Sequence, residues 1–157
     1  MTLHWLDIAQ EFAFDGSWLD VVVLETSLTD WDAVLAALRA AQLQTMYCID
    51  GAEMTLPPPA TAFFASTEYR QLLKVSGGTV GFNCHFFTMD EIEFDLDPRE
   101  VTSQAALDEV LGFMAMIAGA CHKPALLTPE NVHDDPILRV RSGCAVEYFP
   151  PPKEDLT

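Results

Sequence analysis

The sequence predicts an α+β fold: a two-layer sandwich in which a mostly antiparallel sheet carries two main helices on one face. Three observations predict it. Half of the 157 residues are hydrophobic, enough to build one core and too many for a disordered chain despite a formal charge of −16. The hydrophobic periodicities run strand, helix, strand, hairpin, helix, strand, hairpin. Two helices are also too few to cover both faces of so large a sheet, so one face is left open. Residues 1–149 read as a single domain, with residues 150–157, opening on Pro150-Pro151-Pro152, as an extended or disordered tail.

Each element has its own signal. Asp15-Gly16 marks a turn before Trp18–Glu25, a β-branched run that reads as a buried strand. Thr29 is placed to cap a helix, and Asp30 and Asp32 suit its positive end. Trp31, Val34, Leu35 and Leu38 fall at i, i+3, i+4 and i+7, one apolar face of a helix that ends near Ala41 with Arg39 in its last turn. Gln44–Asp50 reads as a second strand. Pro57-Pro58-Pro59 imposes a stiff extended loop. Beyond it the pattern is ambiguous: Ala62–Ala65 suits a strand, while Thr67 suits the cap of a short helix through Leu72 and Leu73. Thr79–Phe87 and Glu91–Leu96 read as an antiparallel hairpin joined at Thr88-Met89-Asp90.

Asp97-Pro98-Arg99-Glu100 has a capping residue followed by Pro at the first helical position, and Ser103 is a second cap for a helix reaching about His122. The apolar residues of that helix (Leu107, Val110, Leu111, Phe113, Met114, Met116, Ile117) exceed one stripe, so it is enclosed on most sides or lends one side to a partner. Its uncharged run Val110–Cys121 is shorter than the roughly 20 residues a membrane span needs. Ala125–Thr128 is a short strand, residues 129–136 a loop, and Ile137–Arg141 with Cys144–Phe149 a last hairpin about Ser142-Gly143. A split β-α-β core makes the whole loosely ferredoxin-like, with added hairpins.

The charge is unevenly placed. There are 24 acidic and 8 basic side chains. Residues 1–38 hold seven acids and no Lys or Arg, and between Lys74 and Arg99 all five acids lie within Asp90–Asp97. Alternation puts Ile92, Phe94 and Leu96 on one face of a strand and Glu91, Glu93, Asp95 and Asp97 on the other. Same-face neighbours lie about 6.5–7 Å apart, so these carboxylates form a row about 20 Å long. Asp and Glu are poor strand formers, and no local gain offsets their mutual repulsion. The row therefore reads as a surface for a cationic protein, with carboxylates imitating a phosphate backbone, or as a solvated edge that resists aggregation. Asp90 at the turn belongs to the same surface; Asp134 and Asp135 form a second group. Asp95-x-Asp97 lacks the further ligands and Gly of a calcium loop, so no metal is assigned.

Catalytic signals are weak. Cys84-His85 would point to opposite faces of a strand, and Cys121-His122 diverge by about 100° on a helix, so neither pair holds an ion or works as a catalytic couple on its own. Gly77-Gly78 is not followed by Lys-Ser or Lys-Thr, and neither G-x-G-x-x-G nor G-x-S-x-G occurs. No catalytic residue and no cofactor is assigned. The acidity argues against nucleic acid and against anionic membranes as partners. Met1–Asp7 has no basic n-region and is a poor signal peptide, and the four cysteines show no C-x-x-C spacing, so the expectation is reduced thiols in a cytoplasmic protein.

In size, acidity and lack of a catalytic motif the chain resembles, as a type, the immunity protein of a bacterial toxin–immunity pair. That resemblance implies a binding and inhibitory protein that neutralises a basic partner such as a toxin by steric and electrostatic blockade, through Asp90, Glu91, Glu93, Asp95, Asp97, Asp134 and Asp135. Two alternatives stand beside it: a small enzyme or ligand-binding domain with a helix–sheet pocket, and a homo-oligomeric subunit, such as a homodimer, joined through helix 103–122.

Overall fold

In a computed structural model, which describes residues 3–55, 64 and 70–152, nine strands form one antiparallel sheet. In chain order they are β1 (Leu19–Leu24), β2 (Gln44–Ile49), β3 (Ala52–Met54), β4 (Gln71–Ser76), β5 (Gly81–Cys84), β6 (Glu91–Leu96), β7 (Ala125–Pro129), β8 (Leu138–Val140) and β9 (Glu147–Tyr148). The sheet order is β3-β2-β4-β5-β6-β1-β7-β8-β9. The α-helices whose full extent lies among the described residues are α1 (Trp5–Ile8), α2 (Leu28–Ala40) and α3 (Gln104–Cys121). Setting aside β3, β4, β5, β8 and β9 leaves β2-β6-β1-β7, the split β-α-β arrangement, so the expected α+β sandwich is what the chain forms.

The core lies between the helices and one sheet face. Val21, Val23, Ile92, Phe94 and Leu96 are buried there, with Trp31, Val34, Leu35 and Leu38 of α2. Phe113 of α3 stacks on Phe82 at 3.9 Å and meets Phe94 edge-on at 5.1 Å. The large apolar residues of α3 are enclosed or partly enclosed, and its exposed positions are Ala105, Asp108, Gly112 and Ala115. Gln104–Cys121 is long and apolar enough to cross a membrane by length and composition, but here it is the core helix. Ile8 and Phe12 join the same core, and Trp5 packs on Phe12 at 5.6 Å.

Several elements differ from expectation. The cap of α2 is Ser27, not Thr29: Ser27 accepts from the Asp30 amide, and the Asp30 carboxylate accepts from the Ser27 amide, a reciprocal capping box. Residues 71–76 are a strand rather than a helix end, because Leu73 and Val75 alternate inward with Lys74 outward. Pro57-Pro58-Pro59, Ala62–Phe63, Ala65 and Thr67 lie outside the described residues. The unexpected β3 follows from Asp50-Gly51, where φ is 49° and 85°, the two left-handed residues of a tight hairpin turn. β5 stops at Cys84, short of Phe87. Phe86 turns left-handed (φ 55°), and its ring joins Trp31 at 5.4 Å and Tyr47 at 6.3 Å. The connection from β5 to β6 is therefore six residues long, not a tight turn at 88–90.

Candidate functional site

The second face of the sheet, which the helices leave open, carries the polar chemistry. In the ladder Asp95 of β6 lies directly opposite Asp20 of β1 and Asn83 of β5, and Asp20 lies opposite Thr128 of β7. Glu93 lies opposite Val22, and Glu91 opposite Leu24. Alternation thus places Glu91, Glu93 and Asp95 on one face as expected, beside a fourth carboxylate, Asp20, that the sequence reading had not singled out.

The row is half-buried rather than a freely solvated ribbon, because the loop after β7 folds over it. Val132 N–H donates to Pro129 O, closing a turn in which Asn131 is left-handed (φ 59°). This aims the Asn131 N–H at Asp20 Oδ2, 2.9 Å away. The same loop lays the His133 ring against three carboxylates. Its Nε2 is 3.1 Å from Asp20 Oδ2 and 3.9 Å from Glu93 Oε1, and its Nδ1 is 3.2 Å from Glu91 Oε2. The Asp20 side chain is only 2% exposed, against 18% for Glu93 and 20% for His133.

These contacts set the electrostatics. Burial, and next the Asp20 charge, push the Glu93 carboxyl up to about 7, and His133 offsets part of the rise. Burial alone would lower the His133 imidazole, but the Asp20 hydrogen bond and the charges of Glu93, Glu91 and Asp20 outweigh it and hold it above its ordinary value. Burial also raises Asp95, with Asn83 and His85 acting against the rise. Two like charges about 4–5 Å apart repel by about 3–4 kcal/mol at an effective dielectric of 20, and a cation held between them, His133 when protonated or a bound ion, offsets that repulsion.

The other expected site residues fall in different settings. Asp95 accepts from Asn83 Nδ2 at 3.0 Å and lies 3.4 Å from His85 Nε2. Asp97 leaves the row to cap the 3-10 turn Pro98–Glu100 and pairs with Arg99 at 2.9 Å, which holds its carboxyl below the usual value. Asp90, Asp134 and Asp135 are exposed, and Phe87, stacked on His85 at 5.2 Å, is 72% exposed. Cys84 and His85 do point to opposite faces: Cys84 is buried among the core and His85 is exposed. Cys121 is buried and His122 exposed, so neither adjacent pair forms a couple. The trio of side chains that the fold gathers closely enough to hold a metal ion, among the described residues, is Asp20, Glu93 and His133, and it contains no cysteine. A signal for Asp20 was present in the sequence, as an acid inside the otherwise apolar run Leu19-Asp20-Val21-Val22-Val23. His133 had none, since only the tertiary fold brings its loop to β1.

A separate apolar cleft of about 270 Å³ opens between the end of α2, α3 and strands β4 and β5; Leu43, Val75, Phe82, Phe113 and Met116 line it with Glu109. No protein-family model, curated protein or solved structure matches the chain.

Proposed function

We propose that this chain is a small acidic binding protein that neutralises a cationic protein partner, in the manner of the immunity protein of a toxin–immunity pair. The observation that carries the reading is the pairing of exposed apolar and acidic side chains on the two loops that flank the carboxylate row, residues 87–90 before β6 and 132–135 after β7. Phe87, Met89 and Val132 are exposed apolar residues, and the acids Asp90, Asp134 and Asp135 stand beside them, also exposed. Both loops reach the carboxylate row: Phe87 stacks on His85, which pairs with Asp95, and His133, between Val132 and Asp134, meets Asp20. Apolar anchors within a charged rim are the anatomy of a protein interface, and a net charge of −16 accelerates encounter with a basic partner about 10–10³-fold. Glu91, Glu93 and Asp95 lie behind this rim and contribute field more than contact; Asp97, paired with Arg99, contributes least.

The test is a low-salt pull-down from the native host, analysed by mass spectrometry, with Asp134→Lys/Asp135→Lys and Phe87→Ala alongside. The expected result is one basic protein whose retention falls as salt rises and is lost in both variants. Retention indifferent to salt and to both variants, or no basic protein at all, refutes the reading.

The apolar cleft supports a second reading, a small-ligand domain. Gly112 lines it, and a Cβ added there meets no atom within 4 Å, so Gly112→Leu is the variant chosen to narrow the cleft. Loss of binding of an apolar fluorescent probe in that variant is the result this reading expects.

A further inference from the structure

The Asp20, Glu93 and His133 cluster has the geometry of a cation site. Three side-chain carboxylates, those of Asp20, Glu91 and Glu93, face one imidazole. The two cations that line the same cleft as Glu91 are committed elsewhere: Lys123 pairs with Asp30 and Arg139 with Glu147. Both ring nitrogens of His133 face carboxylate oxygen, an arrangement that an imidazolium satisfies with two N–H groups; a metal ion at Nε2 would take the place of one of those protons.

The roles of the two nitrogens differ. Nε2 points between Asp20 and Glu93, and Nδ1 is held from behind by Glu91. A carboxylate on the far nitrogen is the arrangement that fixes tautomer and ring orientation in metal-bound histidines. The spacing also fits. Ligands about 2.1 Å from a tetrahedral ion stand about 3.4 Å apart. The observed 3.1 Å (Nε2 to Asp20 Oδ2) and 3.9 Å (Nε2 to Glu93 Oε1) bracket that value, and all three ligand atoms lie within 4.8 Å of one another. The site is also built into the fold. Asp20 is fixed on a central strand, its Oδ2 pinned by the Asn131 N–H, so little reorganisation separates this geometry from a bound one.

We propose that Asp20, Glu93 and His133 bind a divalent transition-metal ion of the zinc class, with Glu91 as the residue that orients the histidine. The imidazole ligand disfavours magnesium and calcium, which take oxygen donors. Three protein ligands leave one tetrahedral position for water, the pattern of an open rather than a closed structural zinc site. The inference is independent of the partner reading, whose test acts on Asp134, Asp135 and Phe87.

The experiment is calorimetric titration of the full chain with zinc chloride after chelator treatment and dialysis. Wild type is expected to saturate at one ion per chain. His133→Gln and Glu93→Gln are expected to abolish that site, and Glu91→Gln to weaken it about 10–100-fold. Asp134→Asn/Asp135→Asn, which removes surface charge without touching the ligands, is expected to leave it unchanged. Circular dichroism confirms the fold of each variant; should Glu93→Gln fail to fold, His133→Gln, altered only in a surface loop, decides the matter. Cobalt substitution adds an independent readout, visible absorption of a low-symmetry site that disappears in His133→Gln. The proposal is overturned by zinc uptake that never saturates at one equivalent, or by saturation that survives His133→Gln unchanged.

Discussion

Replacing Phe113 with Ala tests whether α3 is the keystone of the core or an interface for another chain. The ring is 5% exposed, stacked on Phe82 at 3.9 Å and edge-on to Phe94 at 5.1 Å, so it ties α3 to both β5 and β6. Truncating a buried Phe costs about 3–5 kcal/mol, and the two aromatic pairs, at about 0.5–1.5 kcal/mol each, place this site towards the upper end. Domains of this size lose about 2–4 °C of Tm per kcal/mol, so the expected fall is about 6–20 °C. The comparison is Ala115→Gln on the exposed side of the same helix, expected within about 0.5 kcal/mol of wild type. Thermal and urea denaturation followed by circular dichroism read both variants, with gel filtration for oligomeric state. A Phe113→Ala protein as stable as wild type, together with an Ala115→Gln protein that changes oligomeric state, would refute the assignment of α3 to the core and favour the homo-oligomer.

Two further outcomes follow from titratable groups outside the cation cluster. Burial opposes ionisation of Asp30, but the Lys123 ammonium at 2.6 Å and the Ser27 amide and hydroxyl outweigh it, holding the carboxyl below 3.8. A depressed carboxyl stabilises the fold above its unfolded value and loses that contribution as pH falls through the folded one. Lys123→Met is therefore expected to flatten the decline of Tm below pH 3.8, measured from neutrality into acid, and an unaltered acid limb would contradict this. Burial pushes the Cys84 thiol up to about 12 and Cys121 to about 11, whereas Cys144 is exposed. At about pH 8 a disulfide reagent is expected to label Cys144 first and to reach Cys84 and Cys121 only after denaturation. Labelling of all thiols at one rate in native protein would show that these two are not enclosed.

The fold was legible wherever one periodicity spoke alone. The i, i+3, i+4, i+7 spacing of Trp31, Val34, Leu35 and Leu38 gave α2, and these four are its buried residues. Strict alternation gave β6 with its bounds unchanged. The errors came where a short-range signal competed with a tertiary one. Thr29 was a plausible cap by residue type, but Ser27 has Asp30 three residues on to complete the reciprocal pair. Asp50-Gly51 is a hairpin signal, but the strand beyond it has only three residues, all exposed, and so carries no inward–outward alternation to mark it. The left-handed turn at Phe86 has no local signature at all. It is held by the Trp31 and Tyr47 rings, which lie far away along the chain.

The acids of β6 illustrate how far local reasoning reaches. From the sequence they surrender strand propensity and add repulsion without a visible return. In three dimensions the return lies about forty residues away in one direction and about seventy in the other: His133 arrives on a loop 42 residues beyond Glu91, and Asp20 enters from β1 in direct register with Asp95. Alternation alone could show that Glu91, Glu93 and Asp95 share a face. It could not show that the face is covered by a turn whose left-handed Asn131 aims an amide at Asp20. The row is thereby divided by use. Its middle is drawn into a compact carboxylate–imidazole cluster, its far end caps a 3-10 turn through Asp97, and Asp90, Asp134 and Asp135 are left facing solvent. A cation in the cluster would lower the local negative charge and leave the rim as the acidic surface a partner meets. Zinc occupancy and the salt dependence of partner retention are therefore separable: neutralising the buried acids should alter the first, and reversing the exposed ones the second.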